Sequence, residues 1–279
     1  MSEQVIVEPA PAKLNLALHV RRRRDDGYHD LETLFAFARD GDVVTVERGP
    51  AALTITGPFA GGLSNGVDNL VTRAERAFCT SFGIDAAHAI TLDKHLPVAS
   101  GIGGGSADAA ATLRALARLH GMSVTDERLF ALAATLGADV PACLLGQAAL
   151  GHGKGDALAG IEGLGDMPAL LVNPGVEVST AAVFARWDEE DRGALARGDT
   201  LERALAGRND LQPPAEQIAP VIAEVLTALA GQPGVRLARM SGSGATCFAL
   251  FGSFAARDEA ARRIREAAPG WWQLATFVQ

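Results

Sequence analysis

The sequence is poor in cysteine and aromatic residues, and it has no long apolar run. Its three cysteines form no CxxC pair, and one is left over from any single disulfide, so we expect reduced thiols. Gly, Pro or charged residues interrupt every hydrophobic stretch before the roughly 20 residues that a membrane span needs. The first residues also lack the basic-then-apolar order of a signal peptide. These absences predict a cytoplasmic protein that is not embedded in a membrane.

Positive charge is also scarce, because 25 Lys and Arg stand against 33 Asp and Glu, for a net charge of −8. Nucleic-acid binding needs clustered cations, so we expect no nucleic-acid partner. The short basic run 21–24 precedes Asp25 and Asp26, which favours a solvated turn. The six histidines show no metal-ligand spacing such as HExxH, so we expect no metal site. An anionic small molecule stays possible, because backbone N–H groups can bind phosphate.

The hydrophobic pattern mixes short strands with helices and lacks regular βαβ spacing, which predicts an α+β fold rather than a Rossmann sheet. A helix is predicted over residues 68–82, with Asp68 as its N-cap, and a short strand over 89–93. The segment 151–168 is rich in Gly and Asp. It predicts a boundary between an N-terminal lobe, residues 1–155, and a C-terminal lobe, residues 156–279.

The strongest local pattern is PVASGIGGGS at residues 97–106, followed by the Ala/Leu-rich segment ADAAATLRALARL. Glycines let the backbone adopt positive φ and approach a ligand closely. A helix starting near Ser106 would direct its unpaired N–H groups and positive dipole end into this loop. The pattern therefore predicts a cradle for phosphate oxygens, and the alternative is a flexible turn capped by Ser106.

This glycine loop differs from the common nucleotide motifs. No Lys follows the glycines, as a Walker loop requires, and KHLPVAS is too long a connection from strand 89–93 for a dinucleotide fingerprint. A second loop, MSGSGAT at residues 240–246, lies between two strand-like runs. Its simplest interpretation is a hairpin connection, although two Gly/Ser loops could also face one another.

Three segments in this order, PAKLNL at 11–16, LPVASGIGGGSADAA at 96–110 and MSGSGATCFALF at 240–251, resemble the three motifs of the GHMP kinases. That superfamily includes galactokinase, homoserine kinase and mevalonate kinase. DGYHDLETLF and LGADVPACL are similar to the branch that phosphorylates cytidine diphosphate-linked methylerythritol in the non-mevalonate isoprenoid pathway. The resemblance covers most of the chain. It implies a two-lobed α+β GHMP-kinase-like fold, with ATP and the substrate in the cleft between the lobes.

The resemblance implies two catalytic residues, Asp139 and Lys13. Asp139 in GADVP would accept the proton of the substrate hydroxyl, or position that hydroxyl. The matching Lys13 would keep the carboxylate ionised or stabilise charge in the transition state. The simpler alternatives are a helix-end cap for Asp139 and a solvated strand residue for Lys13.

The resemblance also implies ATP-binding and substrate-binding residues. The ATP-binding set consists of the glycine loop and two residues near the adenine: Pro97, Val98, Ala99, Ser100, Gly101, Ile102, Gly103, Gly104, Gly105, Ser106, Ala107, Asn69 and Leu70. Alanine at position 107 replaces a common serine, so a hydroxyl contact there is not expected. The substrate-binding set is Asn15, Tyr28, His29, Thr180 and Phe184. Tyr28 would stack on cytosine, His29 would hydrogen-bond its edge, and Phe184 would close the other face.

The implied ligands are ATP, the Mg²⁺ that it brings, and a small-molecule substrate, the cytidine diphosphate-linked methylerythritol. No obligate protein partner is implied. Two alternatives stay open, another GHMP-type kinase of the homoserine or mevalonate class and a non-catalytic nucleotide-binding protein on the same fold. The GYH segment argues against the first, because those substrates carry no nucleobase. The presence of both Lys13 and Asp139 argues against the second.

Overall fold

The structure, a computed structural model, describes residues 4–279 and contains two compact units. The first unit comprises residues 4–12, Asp40–Val98 and Gly103–Gly146, and the second comprises Lys13–Arg39, Ala99–Ile102 and Gln147–Gln279. Two long strands, β1 (Val5–Arg23) and β2 (His29–Arg48), pair with each other and contribute to both units. The lobe boundary predicted between residues 155 and 156 stays a prediction.

In the first unit, the second part of β2 pairs antiparallel with β4 (His88–Asp93), with Val43 opposite Asp93. Strand β3 (Ala52–Thr56) pairs in parallel with β4. Along β4, fully buried residues alternate with partly buried ones. This alternation is expected of a strand with one face against a core, because successive side chains point to opposite faces.

The helices of the first unit are α1 (Leu70–Phe82), α2 (Gly104–Leu119), α3 (Glu127–Leu136) and α4 (Val140–Leu145). Helix α2 contacts the other three helices and is buried along most of its length, because alanines let its neighbours approach on every side. It begins two residues earlier than expected, at Gly104.

The N-cap of α1 is Asn69, so the prediction of Asp68 was wrong by one residue. The Asn69 side chain accepts a hydrogen bond from Val71 N–H, as a capping residue should.

The second unit is built on an antiparallel sheet with the strand order β10 (Trp272–Val278), β7 (Met167–Asn173), β9 (Cys247–Phe251) and β8 (Val235–Met240). Helices α8 (Val221–Ala230) and α9 (Phe254–Ala267) pack on this sheet and bury its apolar side chains. The two strands predicted on either side of the SGSGA loop are confirmed as β8 and β9, which pair with each other.

The second unit also contains β5 (Ala149–Gly153) and β6 (Ala157–Gly160), with β5 paired to the first part of β2 and to β6. Three short helices complete it: α5 (Thr180–Phe184), α6 (Thr200–Ala206) and α7 (Gln212–Ile218). Within the described part of the chain, no helix is both long enough and apolar enough to cross a bilayer.

Candidate active site

The first half of the glycine loop, Ala99–Ile102, is joined to the second glycine loop by hydrogen bonds. Thr246 N–H donates to Ser100 O at 3.1 Å, and Ser241 Oγ donates to Gly101 O at 3.0 Å. Gly101 has φ +77°, and a Cβ added to it would lie 2.5 Å from Ser241 O. Only glycine fits this close approach of two backbones. The two Gly/Ser loops therefore contact each other directly.

The second glycine loop is in turn held by Asn209, whose side-chain amide donates to Met240 O and Gly242 O at 2.8 Å each. On the opposite side, Asn15 N–H donates to Ser241 Oγ at 3.1 Å. The loop is thus more than a hairpin connection. Ser241 of this loop connects strand β1 to the glycine loop, because its hydroxyl accepts from Asn15 N–H and donates to Gly101 O.

Two residues of strand β1, Lys13 and Asn15, lie in the same hydrogen-bonded region of the second unit. Lys13 N–H donates to Ile102 O at 2.9 Å, and its buried Nζ donates to Asn15 Oδ1 at 2.9 Å. The side-chain amide of Asn15 donates to Thr33 Oγ1 at 2.8 Å. Lys13 is therefore not a solvated lysine, because its ammonium group is held inside the protein beside the glycine loop.

The second half of the glycine loop, Gly103–Ser106, leads directly into helix α2 in the first unit. Gly103 has φ +65° and occupies the N-cap position, where it offers no capping side chain. A Cβ added to Gly105 would meet no atom of the described residues within 4 Å. The first turn of a helix has backbone N–H groups without a partner inside the helix, and the free space beside Gly105 leaves room for an anion at this helix start.

A buried cluster of charges lies beneath this helix start. Lys94 Nζ donates to Asp42 Oδ2 at 2.5 Å and to Asp108 Oδ2 at 2.7 Å, and all three side chains are almost fully buried. A Cβ added to Gly104 would lie 3.1 Å from Lys94 Nζ. Asp42 also accepts hydrogen bonds from the backbone N–H groups of His95 and Leu96, so it orients the chain that leads into the loop.

The cluster carries two carboxylates against one ammonium group. Burial raises the pKa of Asp108 to about 7, with Lys94 opposing this effect and Asp42 reinforcing it. Burial alone would lower the pKa of Lys94, but Asp108 and Asp42 outweigh it and raise the pKa of that ammonium. Among the described residues, Asp108 Oδ1 has no hydrogen-bond partner. Lys94 therefore stays charged, and Asp108 takes up a proton more readily than an exposed aspartate does.

Asp139 occupies the residue directly before helix α4. It stands at the N-cap position, and its side chain makes no capping hydrogen bond to that helix in the described structure. Pro141 follows in the first turn, where a missing N–H has no consequence.

The residues expected to contact a nucleobase are arranged around His29. Its ring stacks on Phe184 with 4.7 Å between the ring centroids. The Trp187 ring is nearly perpendicular to it, with 5.6 Å between the centroids. Burial, and then the nearby Arg23, lower the pKa of His29. The neutral ring that results offers one donor and one acceptor, as recognition of a base edge requires. Tyr28 is 55% exposed, and Lys154 Nζ lies 3.8 Å from its ring centroid.

The remaining candidate residues also have defined partners. Thr180 begins α5, and its Oγ1 lies 2.8 Å from Ser243 Oγ, which connects it to the second glycine loop. Besides capping α1, Asn69 donates through its side-chain amide to Ser64 O at 2.7 Å. Leu70 is the first residue of that helix.

Sequence reasoning missed Lys94, Asp42, Trp187 and Ser241. In the charge cluster, Lys94 is 52 residues from Asp42 and 14 residues from Asp108, so no short sequence pattern predicts the cluster. The available signal was the position of Lys94 three residues before Pro97, at the entrance to the glycine loop. Trp187 lies three residues beyond the end of α5, where the sequence shows no motif that marks it.

Comparison with known proteins agrees with this arrangement. The model of the GHMP kinases N terminal domain matches residues 69–147, and the model of the GHMP kinases C terminal region matches residues 188–270. A 4-diphosphocytidyl-2-C-methyl-D-erythritol kinase from Rhizorhabdus wittichii is 59% identical over 276 residues, covering 98% of this chain and 94% of the relative.

Solved structures show the same similarity. A crystal structure of 4-(cytidine 5′-diphospho)-2C-methyl-D-erythritol kinase matches with a TM-score of 0.80 at 35% identity, covering 98% of this chain and 99% of that one. A homoserine kinase from Cytophaga hutchinsonii matches with a TM-score of 0.75 at 21% identity, covering 99% of this chain and 96% of that one. At 21% identity, the second match shows the fold alone. Together with the family models and the first match, it confirms the predicted α+β GHMP-kinase fold.

Proposed function

Because this chain belongs to the GHMP kinases and, within them, to the family of 4-diphosphocytidyl-2-C-methyl-D-erythritol kinases, we propose that it transfers the γ-phosphoryl group of ATP to the 2-hydroxyl of that substrate. The chain is a small-molecule kinase of the non-mevalonate isoprenoid pathway. The single observation that carries this proposal is the 59% identity to such a kinase across 98% of the chain.

The start of helix α2 supports phosphate binding. Gly105 leaves free space beside the first turn of the helix, and the helix dipole adds partial positive charge there. The residues present therefore fit the phosphate oxygens of ATP. Mg²⁺ would arrive with the nucleotide, take most of its oxygen ligands from phosphate and water, and neutralise phosphate charge.

Asp139 and Lys13 are proposed to assist the transfer itself. Asp139 would orient the attacking hydroxyl and accept its proton late in the reaction, because a loose transition state demands little proton transfer early. The Lys13 ammonium, buried and oriented by Asn15, would supply positive charge at the site without needing to reorganise.

The His29, Phe184 and Trp187 cluster supports recognition of the cytidine part of the substrate. Aromatic stacking on a base is worth about 1–3 kcal/mol, and a neutral His29 can pair with the base edge. Tyr28 is exposed and therefore available to stack on the ligand. A site of this kind has no use in an enzyme that phosphorylates homoserine or mevalonate.

The proposal is tested by measuring ADP release with Mg-ATP on four acceptors: the cytidyl substrate, methylerythritol 4-phosphate, homoserine and mevalonate. We expect turnover on the cytidyl substrate only. Asp139→Asn should cut kcat by about 10²-fold or more, the scale of lost acid–base assistance, with ATP affinity unchanged. The matched control is Asp85→Asn, an exposed aspartate in the same unit, which should leave kcat unchanged.

Two results would contradict the proposal. Release of ADP with homoserine or mevalonate, but not with the cytidyl compound, would assign the chain to another class of GHMP kinase. Absence of turnover on every acceptor, together with measurable ATP binding, would make the protein a non-catalytic nucleotide-binding protein. Full activity of Asp139→Asn would remove that carboxylate from the mechanism while leaving the substrate assignment intact.

A further inference from the structure

A group of three metal-binding side chains lies in the first unit, on residues to which the kinase mechanism gives no role. Glu75 and Cys79 are four residues apart on α1, so they share one face of that helix. His88 begins strand β4, and its side chain is fully buried. The three ligand atoms, Glu75 Oε1, Cys79 Sγ and His88 Nδ1, all lie within 4.8 Å of one another.

The distances between these atoms are close to those of a tetrahedral zinc site. Cys79 Sγ is 3.9 Å from His88 Nδ1 and 3.7 Å from Glu75 Oε1, while His88 Nδ1 is 3.0 Å from Glu75 Oε1. Around a tetrahedral zinc ion, the corresponding separations are about 3.6, about 3.5 and about 3.3 Å. Shifts of roughly 0.3 Å in side-chain position would therefore bring all three atoms into ligating distance.

The surroundings of His88 suit a ligating imidazole. Its other nitrogen, Nε2, lies 2.9 Å from Nε2 of His120, the residue that follows helix α2. In the metal-bound state, Nε2–H would donate to His120 and Nδ1 would carry no hydrogen, as metal binding requires. A partner on the second nitrogen is the usual way in which proteins orient a metal-binding histidine.

Access to the group is provided by a cavity of about 380 Å³ that Glu75 and His88 line together with Thr72 and Arg76. A water molecule in this cavity could fill the fourth coordination position. The donor set itself favours a soft or borderline ion, because thiolate and imidazole select zinc over magnesium and calcium.

We propose that Glu75, Cys79 and His88 bind a Zn²⁺ ion that joins helix α1 to strand β4 of the first unit. Binding replaces the proton on the Cys79 sulfur with the metal, and the proton is released to solvent. Burial, and then Glu75, raise the pKa of Cys79 to about 11, so the thiol keeps its proton until the metal displaces it. Without metal, the same atoms form a hydrogen-bonded group in which His88 Nδ1–H donates to Glu75 and His88 Nε2 accepts from His120. Metal binding moves the His88 proton from Nδ1 to Nε2, which then donates to His120.

The test uses the full chain, stripped with a chelator and kept reduced, titrated with ZnCl₂ against a chromogenic zinc chelator. We expect one equivalent of Zn²⁺ to bind, unaffected by excess Mg²⁺, and thermal unfolding to shift upward as zinc is added. With Co²⁺ as the probe, a thiolate-to-cobalt charge-transfer band should appear. This band is a direct signature of the Cys79 sulfur as a ligand and does not depend on kinase activity.

Three variants assign the ligands. Cys79→Ala changes a half-buried side chain, should fold, and should lose stoichiometric binding and the cobalt band. The control Cys143→Ala removes another thiol of the same unit and should bind like the wild type. His120→Gln should weaken zinc binding by about 10- to 100-fold, as loss of an orienting partner does. Equal zinc affinity of the wild type and Cys79→Ala, or no bound zinc in the reduced wild type, would overturn the proposal.

Discussion

The two halves of the glycine loop are contiguous in the sequence and are held in different ways. The half Ala99–Ile102 is fixed by neutral backbone hydrogen bonds to the second glycine loop and to Lys13. The half Gly103–Ser106 begins a helix and lies over the buried charges of Lys94, Asp42 and Asp108. The neighbouring backbone leaves no room for a side chain at Gly101, whereas a Cβ added to Gly105 would meet no atom of the described residues within 4 Å.

Glycine in such a motif can serve close packing of the backbone or binding of a ligand, and this difference assigns one of these roles to each half. In the first half, glycine is required by the neighbouring backbone, so its role is structural. In the second half, Gly105 leaves free space, so the proposed role of this half is binding. The second half also lies beside buried charges, whereas the first half contacts neutral groups. The following substitutions test this contrast, from the largest expected effect to the smallest.

The largest effect is expected from Lys94→Met, which leaves two buried carboxylates without their counterion. Breaking a buried ion pair by removing one partner costs about 3–5 kcal/mol. We expect a decrease of this size in the free energy of unfolding, measured by urea denaturation at neutral pH. Lys154→Met is the control, since its pair with Asp26 is partly exposed and should contribute less than about 1 kcal/mol. Equal stability losses for the two variants would show that the buried cluster contributes no more to the free energy of unfolding than a partly exposed ion pair does.

The next largest effect is expected from Gly101→Ala, in the half Ala99–Ile102. The positive φ alone disfavours alanine by about 1–2 kcal/mol, and the new Cβ would meet Ser241 O and Gly244 O, which are backbone atoms that cannot move aside cheaply. We expect lower stability and a loss of kinase activity. Thermal unfolding and ADP release measure the two effects, and wild-type stability would argue against the tight junction of the two loops.

The matched substitution in the half Gly103–Ser106 is Gly105→Ala. It introduces no clash and lies inside a helix, where alanine is favoured over glycine by about 0.5–1 kcal/mol. Stability should therefore stay equal or rise, while KM for ATP rises because the methyl group intrudes on the phosphates. An unchanged KM would show that the amides of this half do not contact ATP.

The last test measures a pH dependence rather than the effect of a substitution at one pH. Because the pKa of Asp108 is raised from 3.8 to about 7, the folded protein binds more protons than the unfolded chain between these values. The free energy of unfolding should therefore fall as pH rises through this window. Asp108→Asn should flatten the dependence, as measured by urea denaturation at a series of pH values. An unchanged slope would place the titrating group elsewhere.

Much of the site could be predicted from local sequence because its signals are contiguous. The glycine loop and its helix, the strands around SGSGA and the ordered motifs of a kinase superfamily all appear within short windows. The start of α2 was predicted two residues late, since glycine is a poor helix former and the helix begins on glycine. Asp68 was chosen over Asn69 as the cap of α1 because both residue types favour that position.

Residues that meet only in three dimensions could not be predicted in this way. Asp42, Lys94 and Asp108 come from a strand, a loop and a helix, and the partners Glu75, Cys79 and His88 come from a helix and a strand. The expectation of no metal site rested on histidine spacing alone, which does not register ligands brought together by packing.

The sequence by itself determined the superfamily and the class of reaction, and it predicts the position of a phosphate-binding loop, because those depend on residue types within contiguous segments. Only the tertiary structure decided which glycine is required by a neighbouring backbone, which carboxylate is buried beside a lysine, and which histidine faces a thiol. Those properties depend on distances between segments far apart in the chain, and burial then sets the strength of each interaction.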